Sequence, residues 1–315
     1  MKNANHKGAW PKKAKLLLLG FMLCLPYIQY GQIEPMYSQY IFNPNIINPA
    51  QSGASTYNTV GALYRQQWVG LDGAPVTRTA FLNTSLGKDL GLGVGVVSDA
   101  VGPVDRLSLH TDFAYHLKLS SNWRLSAGLR FMVNNVSVNL VDLENVDPDV
   151  EFSSNLNSGY YLNAGFGFLL QNKNFYAGFS LPKAMGLYLG GENDFFKRSY
   201  DHMVAYAGGD IPLSRKWSFL PSVLIKQTRD VPVQLDFNAV FNWRDAISLG
   251  GILRSRDGVG LVFGITPGEH WTFGYVYEYP INEVNTLTWQ SHEISLTYRW
   301  PRKNNNRIRS PRFFL

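Results

Sequence analysis

Long stretches of this chain alternate between apolar and polar side chains. In 231–243 every odd-numbered residue is apolar, and most even-numbered residues are Gln, Asp or Asn. The same pattern occurs in 107–117, 125–134 and 271–279. A period of two indicates β-strands, because successive side chains leave a pleated strand on opposite faces. The sequence therefore predicts an all-β fold.

The length of the runs and the position of the aromatic residues indicate which kind of β-protein this is. The runs are about 9–13 residues long, whereas strands of globular proteins average about 5–6 and membrane strands need about 9–11. Aromatic residues also mark the ends of runs, as in the interfacial girdles of outer-membrane barrels. They are Tyr64, Trp68, Trp217, Trp243, Trp271, Tyr298 and Trp300. We therefore expect a transmembrane antiparallel β-barrel of the outer membrane, rather than a soluble sandwich or jelly roll.

The pattern predicts about fourteen strands. They are 58–68, 75–86, 89–98, 106–118, 122–135, 159–171, 174–182, 200–213, 216–227, 231–243, 246–255, 258–266, 270–280 and 289–300. The breaks between them alternate between short turns and mostly longer loops, and outer-membrane barrels place the short turns in the periplasm. An even strand number predicts that both termini lie on that periplasmic side.

The two ends of the chain differ from its body. Residues 1–31 contain five Lys and then a short apolar core, which predicts a secretory signal peptide. The only cysteine, Cys24, lies within it. Five further basic residues lie in the tail 301–315, so the net charge of +6 does not indicate a nucleic-acid partner. Between the ends we expect an N-terminal periplasmic or plug segment, 32–57, and the barrel, 58–300.

Several motifs resemble one known family. Residues 33–55 read IEPMYSQYIFNPNIINPAQSGAS, which resembles the opening motif of the PorP/SprF family of outer-membrane proteins of the type IX secretion system in Bacteroidota. Similar stretches follow in the family's order at 65–75, 199–208, 220–238 and 291–300. The resemblance implies a barrel in outer-membrane lipid that works with the periplasmic secretion and gliding machinery. It also implies a large secreted surface protein, of the adhesin kind, as partner.

The opening motif is the first candidate site. Pro44 and Pro49 within it exclude a long regular helix or a central strand. One interpretation is a segment that plugs the barrel mouth with its aromatic rings packed inward; the other, compatible with it, is a docking surface for periplasmic partners. We expect deletion of 36–50 to abolish export while leaving a folded barrel. The candidate residues are Tyr37, Ser38, Gln39, Tyr40, Phe42, Asn43, Pro44, Asn48 and Pro49.

Ionisable residues on the polar strand faces form the second candidate site. Both signs of charge are present, so one interpretation is a structural network that fills the lumen. The alternative is a polar channel or a seat for a segment of the client. The candidates are Arg65, Asp112, Arg130, Lys226, Asp236, Glu278, Glu293 and Arg299.

The sequence offers no pattern for catalysis or a cofactor, and its His residues show no metal-ligand spacing. Ser291, His292 and Glu293 are neighbours on a strand and point to alternate faces, so they do not form a relay. The acidic residues of 142–151 suit either a solvated loop or a Ca²⁺ site. We therefore expect a non-enzymatic outer-membrane component of type IX secretion that supports export or surface attachment of its partner. The alternative is a FadL-like or porin-like channel for small molecules.

Overall fold

The computed structural model describes residues 38–140, 155–188, 202–228, 231–288 and 290–302. These residues belong to one compact unit, Glu34–Leu315. The predicted signal peptide, Tyr37, the acidic loop at 142–151 and the tail from 303 onward lie outside the described residues, as does the side chain of Gln39. Within the described ranges, no helix is long and apolar enough to cross a bilayer.

Every predicted strand is present, with ends that differ by a few residues. The strands are β1 (Tyr57–Gln66), β2 (Val76–Ser85), β3 (Leu90–Val101), β4 (Val104–Lys118), β5 (Arg124–Val138), β6 (Leu156–Gln171), β7 (Phe175–Tyr188), β8 (His202–Gly209), β9 (Ile211–Pro212), β10 (Trp217–Thr228), β11 (Gln234–Trp243), β12 (Ile247–Arg254), β13 (Gly258–Ile265), β14 (Trp271–Pro280) and β15 (Ser291–Pro301). Only Asp210 separates β8 from β9, and both pair with β10, so together they occupy one position. The predicted fourteen-stranded barrel is thus confirmed.

The sheet is antiparallel throughout and closes on itself. Neighbouring strands in the chain pair with each other, and β15 pairs with β1, from Tyr57 opposite Pro301 to Gln66 opposite His292. Because β10 also pairs with β11, the circuit is complete. Closure removes the free sheet edges that would leave unpaired backbone groups in a lipid bilayer.

The alternation places apolar side chains outside and polar side chains in the bore. On β4, Leu109, Phe113 and Tyr115 are about half exposed, whereas Asp112 and His116 are buried. On the other strands, large apolar residues are likewise exposed. The buried residues are mostly Ser, Thr, Asn and charged residues, together with an apolar cluster that includes Leu220, Val240 and Ile252. An apolar exterior around a polar interior is the arrangement of a transmembrane barrel.

The two ends of the barrel differ, broadly as predicted. Short turns join strand pairs at one end, which we call the tight-turn rim, and the loop 67–75 is among the longer connections at the opposite rim. The predicted break 99–105 is wrong, because β3 and β4 extend until Val101 pairs with Val104. Only Gly102 and Pro103 remain as the turn, and Gly102 has a φ of 54°, a value that favours glycine.

The chain that precedes β1 lies inside the barrel. Residues 38–54, which we call the bore segment, form three short 3₁₀-helices: η1 (Gln39–Ile41), η2 (Pro44–Ile46) and η3 (Pro49–Gln51). Ser38 contacts strand ends at the opposite rim, and Ala54 contacts Arg124 at the tight-turn rim. Strand β1 therefore starts at the tight-turn rim as predicted, but the segment leading to it runs through the bore from the other end.

Candidate functional site

The Ser38 end of the bore segment, near the rim opposite the tight turns, lies in a cluster of buried charges. Arg65 contacts Glu278 at 2.6 Å and Glu293 at 2.9 Å. Arg254 contacts Glu278 and Asp236, each at 3.2 Å. Ser38 joins the two halves: its backbone N–H donates to Glu293 at 3.0 Å, its hydroxyl donates to Glu278, and the hydroxyl accepts from Arg65 at 3.1 Å and from Arg254 at 3.0 Å. The charges are 0–11% exposed at the side chain, so each depends on its partners within the bore.

A second charge pair holds the middle of the segment. Arg130 of β5 donates from two nitrogens to the carboxylate of Asp112 on β4, each at 2.7 Å. The same guanidinium donates to the backbone carbonyls of Asn45 and Ile46. Because the wall residues form a bidentate pair, the guanidinium is fixed in the orientation that reaches these carbonyls. This pair therefore ties the backbone of η2 to the wall.

Asn48 is the third attachment. Its side-chain NH₂ donates to the backbone carbonyl of Phe168 at 2.9 Å and to the Tyr206 hydroxyl at 3.0 Å. Its side-chain oxygen accepts from the N–H of Ala50 at 2.9 Å, which caps η3. Asn48 is fully buried and uses both ends of its amide, so no other residue type of similar size reproduces these contacts.

Glycines in the wall let the segment approach closely. A Cβ added at Gly91 would lie 1.8 Å from the Ser52 carbonyl oxygen, and one at Gly128 would lie 2.3 Å from the Ala50 nitrogen. A Cβ at Gly167 would lie 2.1 Å from the side-chain oxygen of Asn48. Strands β3, β5 and β6 therefore carry glycine where the backbone of the bore segment lies against them.

Tyr40 shows how fully the bore is desolvated. It is 3% exposed, and its hydroxyl accepts from the Asn238 amide of β11. This contact attaches η1 to the wall at β11.

The structure places most of the predicted residues in this assembly. Tyr40, Phe42, Asn43, Pro44, Asn48 and Pro49 are buried with Ser38. Six of the eight predicted lumen charges form the two clusters. Lys226 is half-buried on the lumen-facing side of β10, opposite Gln234. Arg299 lies apart from the clusters, at the tight-turn rim, where it donates to the Glu269 carbonyl.

Two arginines of the site were not predicted. Arg254 bridges Asp236 and Glu278, and Arg124 donates to the Ala54 carbonyl at 2.6 Å. Both lie on the bore-facing side of their strands: Arg254 aligns with Ser248, and Arg124 aligns with Ser126 and Arg130. The signal that finds them is the alternation extended to the strand ends, which are Arg124 at the start of β5 and Arg254 at the end of β12.

No metal site accompanies these charges. Among the residues that the structure describes, no group of three His, Cys, Asp or Glu side chains is placed to hold a metal ion. Each carboxylate of the two clusters instead faces an arginine. The two charge clusters therefore fix the bore segment in place within the barrel.

Several solved structures share the barrel architecture at low similarity. They include the CymD monoaromatic hydrocarbon channel (12% identity, TM-score 0.47, 88% of this chain and 96% of that chain). The toluene transporter TbuX of Ralstonia pickettii has 9% identity and a TM-score of 0.48, over 86% of this chain and 95% of that one. The translocator domain of the autotransporter NalP from Neisseria meningitidis has 10% identity and a TM-score of 0.41, over 92% of this chain and 97% of that one. Similarity at this level carries no information about substrate.

Comparison at the level of sequence gives a family. No curated protein matches the chain. The model of the family described as type IX secretion system membrane protein PorP/SprF matches residues 29–298, which include the whole bore segment and nearly all of the barrel. The chain therefore belongs to the PorP/SprF family of type IX secretion system membrane proteins, and its barrel lies in the outer membrane.

Proposed function

We propose that this protein is a plugged, non-enzymatic outer-membrane component of the type IX secretion system. It supports export or surface attachment of a large secreted partner of the adhesin kind, and it works with machinery proteins in the periplasm. Family membership supports the link to secretion. The observation that carries the mode of action is the bore segment, which fills the lumen from one rim to the other.

A filled bore restricts how the protein acts. The bore segment is bonded to β1, β14 and β15 through Ser38, to β5 through Arg130, and to β6 and β8 through Asn48. Moving it would break these hydrogen bonds together, and a buried polar group left without its partner costs about 1–3 kcal/mol. The segment is thus a permanent part of the barrel, and the surfaces left for partners are the two rims and the outer wall.

The arrangement of polar residues supports a non-enzymatic role. Ser291 and Glu293 face the bore, where Ser291 accepts from the Trp68 N–H and Glu293 binds Arg65. His292 points outward and pairs with the Tyr275 hydroxyl at 2.7 Å. The three residues that superficially suggest a catalytic relay therefore have separate structural partners.

Removal of the gene tests the secretion role against the channel alternative. We expect the deletion strain to lose one or a few large proteins from its cell surface, measured by quantitative proteomics of surface-released peptides, and a plasmid copy to restore them. We also expect the purified barrel to show no stable conductance in planar bilayers. An unchanged surface proteome together with a stable, open conductance would replace this proposal with a small-molecule channel.

A second experiment asks whether the bore segment itself is needed. We expect a variant lacking 36–50 to reach the outer membrane as a folded barrel, shown by heat-modifiable migration on gels, and to lose the surface display of the partner. A variant carrying Arg299→Met is the control, because Arg299 lies outside the bore network. Normal display by the shortened barrel would show that the segment has no part in export.

A further inference from the structure

The tight-turn rim carries a ring of exposed positive charge. Five of its six turns have a Lys or Arg in the turn or at the adjoining strand end, and six such side chains are exposed, against two exposed acidic ones, Asp89 and Glu269. The exposed basic residues are Lys88, Lys118, Lys173, Arg215, Lys216 and Arg244.

These charges lie at the edge of the lipid-facing belt. Lys88 stands between Leu86 and Leu90, which are 56% and 51% exposed, and Lys216 directly precedes Trp217, which is 47% exposed. Each basic residue is at most two positions from an apolar residue of the outer wall, and a strand rises about 3.3 Å per residue. The charged groups thus lie within about 7 Å of the hydrocarbon boundary, which is about the thickness of one headgroup layer.

One contact at the rim holds a positive charge on the outer side. The Arg244 guanidinium lies 5.0 Å from the centre of the Trp243 ring. Trp243 has the same strand parity as Phe241, which is 45% exposed on the outer wall. A guanidinium stacked on an interfacial ring is held beside the lipid headgroups and not over the mouth of the bore.

The positive charge is confined to the tight-turn rim, and it favours an anionic ligand there. At the opposite rim, the exposed charged residues of the described loops and adjoining strand ends are Asp72, Asp105 and Glu283, against Arg78 and Arg256. The positive ring is therefore a property of one end, and that end faces the periplasmic leaflet because tight turns lie in the periplasm. We infer that the tight-turn rim binds the headgroups of anionic phospholipids, such as phosphatidylglycerol, in that leaflet.

The height of the ring favours lipid over an acidic periplasmic protein. A protein docking from below meets the tips of the turns. Lys88, Lys173 and Arg215 instead share the strand parity of outer-wall side chains two positions away, which are Leu86 and Leu90, Phe175, and Trp217. Long basic side chains beside interfacial aromatics reach lipid phosphates while their stems stay in the apolar layer. This inference does not depend on the proposed secretion role.

Tryptophan quenching by brominated lipids tests the inference with the purified full-length mature barrel. Trp123, Trp217 and Trp271 lie at the tight-turn rim and are 38–47% exposed. In mixed vesicles we expect brominated phosphatidylglycerol to quench them more strongly than brominated phosphatidylcholine does, with a preference that falls as ionic strength rises. No protein partner is present in this assay, so a preference belongs to the barrel itself.

Two double variants test whether the rim lysines cause the preference for phosphatidylglycerol. One combines Lys88→Gln and Lys118→Gln, and the other combines Lys173→Gln and Lys216→Gln. Each should lower the relative affinity for phosphatidylglycerol roughly five- to twenty-five-fold, because a near-surface Lys or Arg contributes a factor of about five. The control is Arg78→Gln with Arg256→Gln, which removes the same charge at the other end and should keep the preference.

Three results would overturn the inference. The first is equal quenching by both lipids in the unmodified barrel, and the second is an equal loss of preference in the control pair. The third is an unchanged preference in both rim variants. If the rim variants also lose surface display in cells while keeping their lipid preference, the ring binds an acidic protein instead.

Discussion

A leucine at position 128 should displace the bore segment at η3 and open the barrel. Position 128 is a glycine of β5, where even a Cβ would lie 2.3 Å from the Ala50 nitrogen and 2.4 Å from the Pro49 carbonyl carbon. These are backbone atoms of η3, which do not rotate aside as a flexible side chain does. Overpacking a well-filled interior costs about 1–3 kcal/mol of stability. Contacts this short place the cost for this variant at the upper end of that range or above it. The segment must therefore move, and a fourteen-stranded wall without it leaves a lumen.

Planar-bilayer recording measures this opening. We expect no stable channels from the unmodified barrel and frequent open channels from Gly128→Leu. Gly91→Leu is an independent second variant, because its Cβ would lie 1.8 Å from the Ser52 carbonyl oxygen. The control is Gly251→Leu on β12, which faces outward between Leu249 and Leu253 and has only the Gly260 carbonyl nearby, at 3.6 Å. If both bore-facing variants stayed closed and as heat-stable as the control, the segment would not be packed against these strands.

The strands themselves were predictable because their signal is local. Alternation along one strand depends on that strand's own two faces, so the run 106–118 predicted β4, Val104–Lys118, without knowledge of its neighbours. The largest error at a strand end is at β7, predicted to end at 182 and observed to continue to Tyr188. Pro182 interrupts the alternation there, and the β6–β7 register shifts near it, between Ala164 and Phe166 on β6. An irregularity of this kind hides the continuation of a strand.

The site was predictable in its residues but not in its arrangement. Strand parity alone placed Arg65, Asp236 and Glu278 in the lumen. Their convergence depends on barrel closure, which brings β1 beside β15 and β14 although more than 200 positions separate Arg65 from Glu278 in the chain. Arg254 was missed because Gly250 and Ile252 share its face and conceal the polar pattern.

The path of the bore segment was not predictable from the local sequence, because it too depends on contacts between distant residues. Pro44 and Pro49 excluded regular structure, but nothing in 33–55 indicates the end of the barrel from which the segment enters. That direction is set by Ser38, whose partner Glu293 lies 255 positions away, and by Ala54, which is held by Arg124. The prediction that the segment starts on the periplasmic side used strand parity, which applies to β1 and not to a chain that passes through the lumen.

The largest loss of stability is expected from Arg65→Met. The substitution keeps the apolar stem but removes the positive charge that contacts Glu278 at 2.6 Å and Glu293 at 2.9 Å, both in a bore where Arg65 is 1% exposed. Breaking a buried ion pair from one side costs about 3–5 kcal/mol, because the remaining charge is desolvated without its partner. Urea unfolding of the detergent-solubilised barrel, followed by tryptophan fluorescence, should show this decrease, and Arg299→Met at the rim should have little effect.

Adding Glu293→Gln to Arg65→Met should recover a substantial part of the loss, since one unpaired carboxylate is then replaced by a neutral amide. Equal stability of Arg65→Met and the unmodified protein, or no recovery in the double variant, would mean that these charges do not hold the bore segment in place.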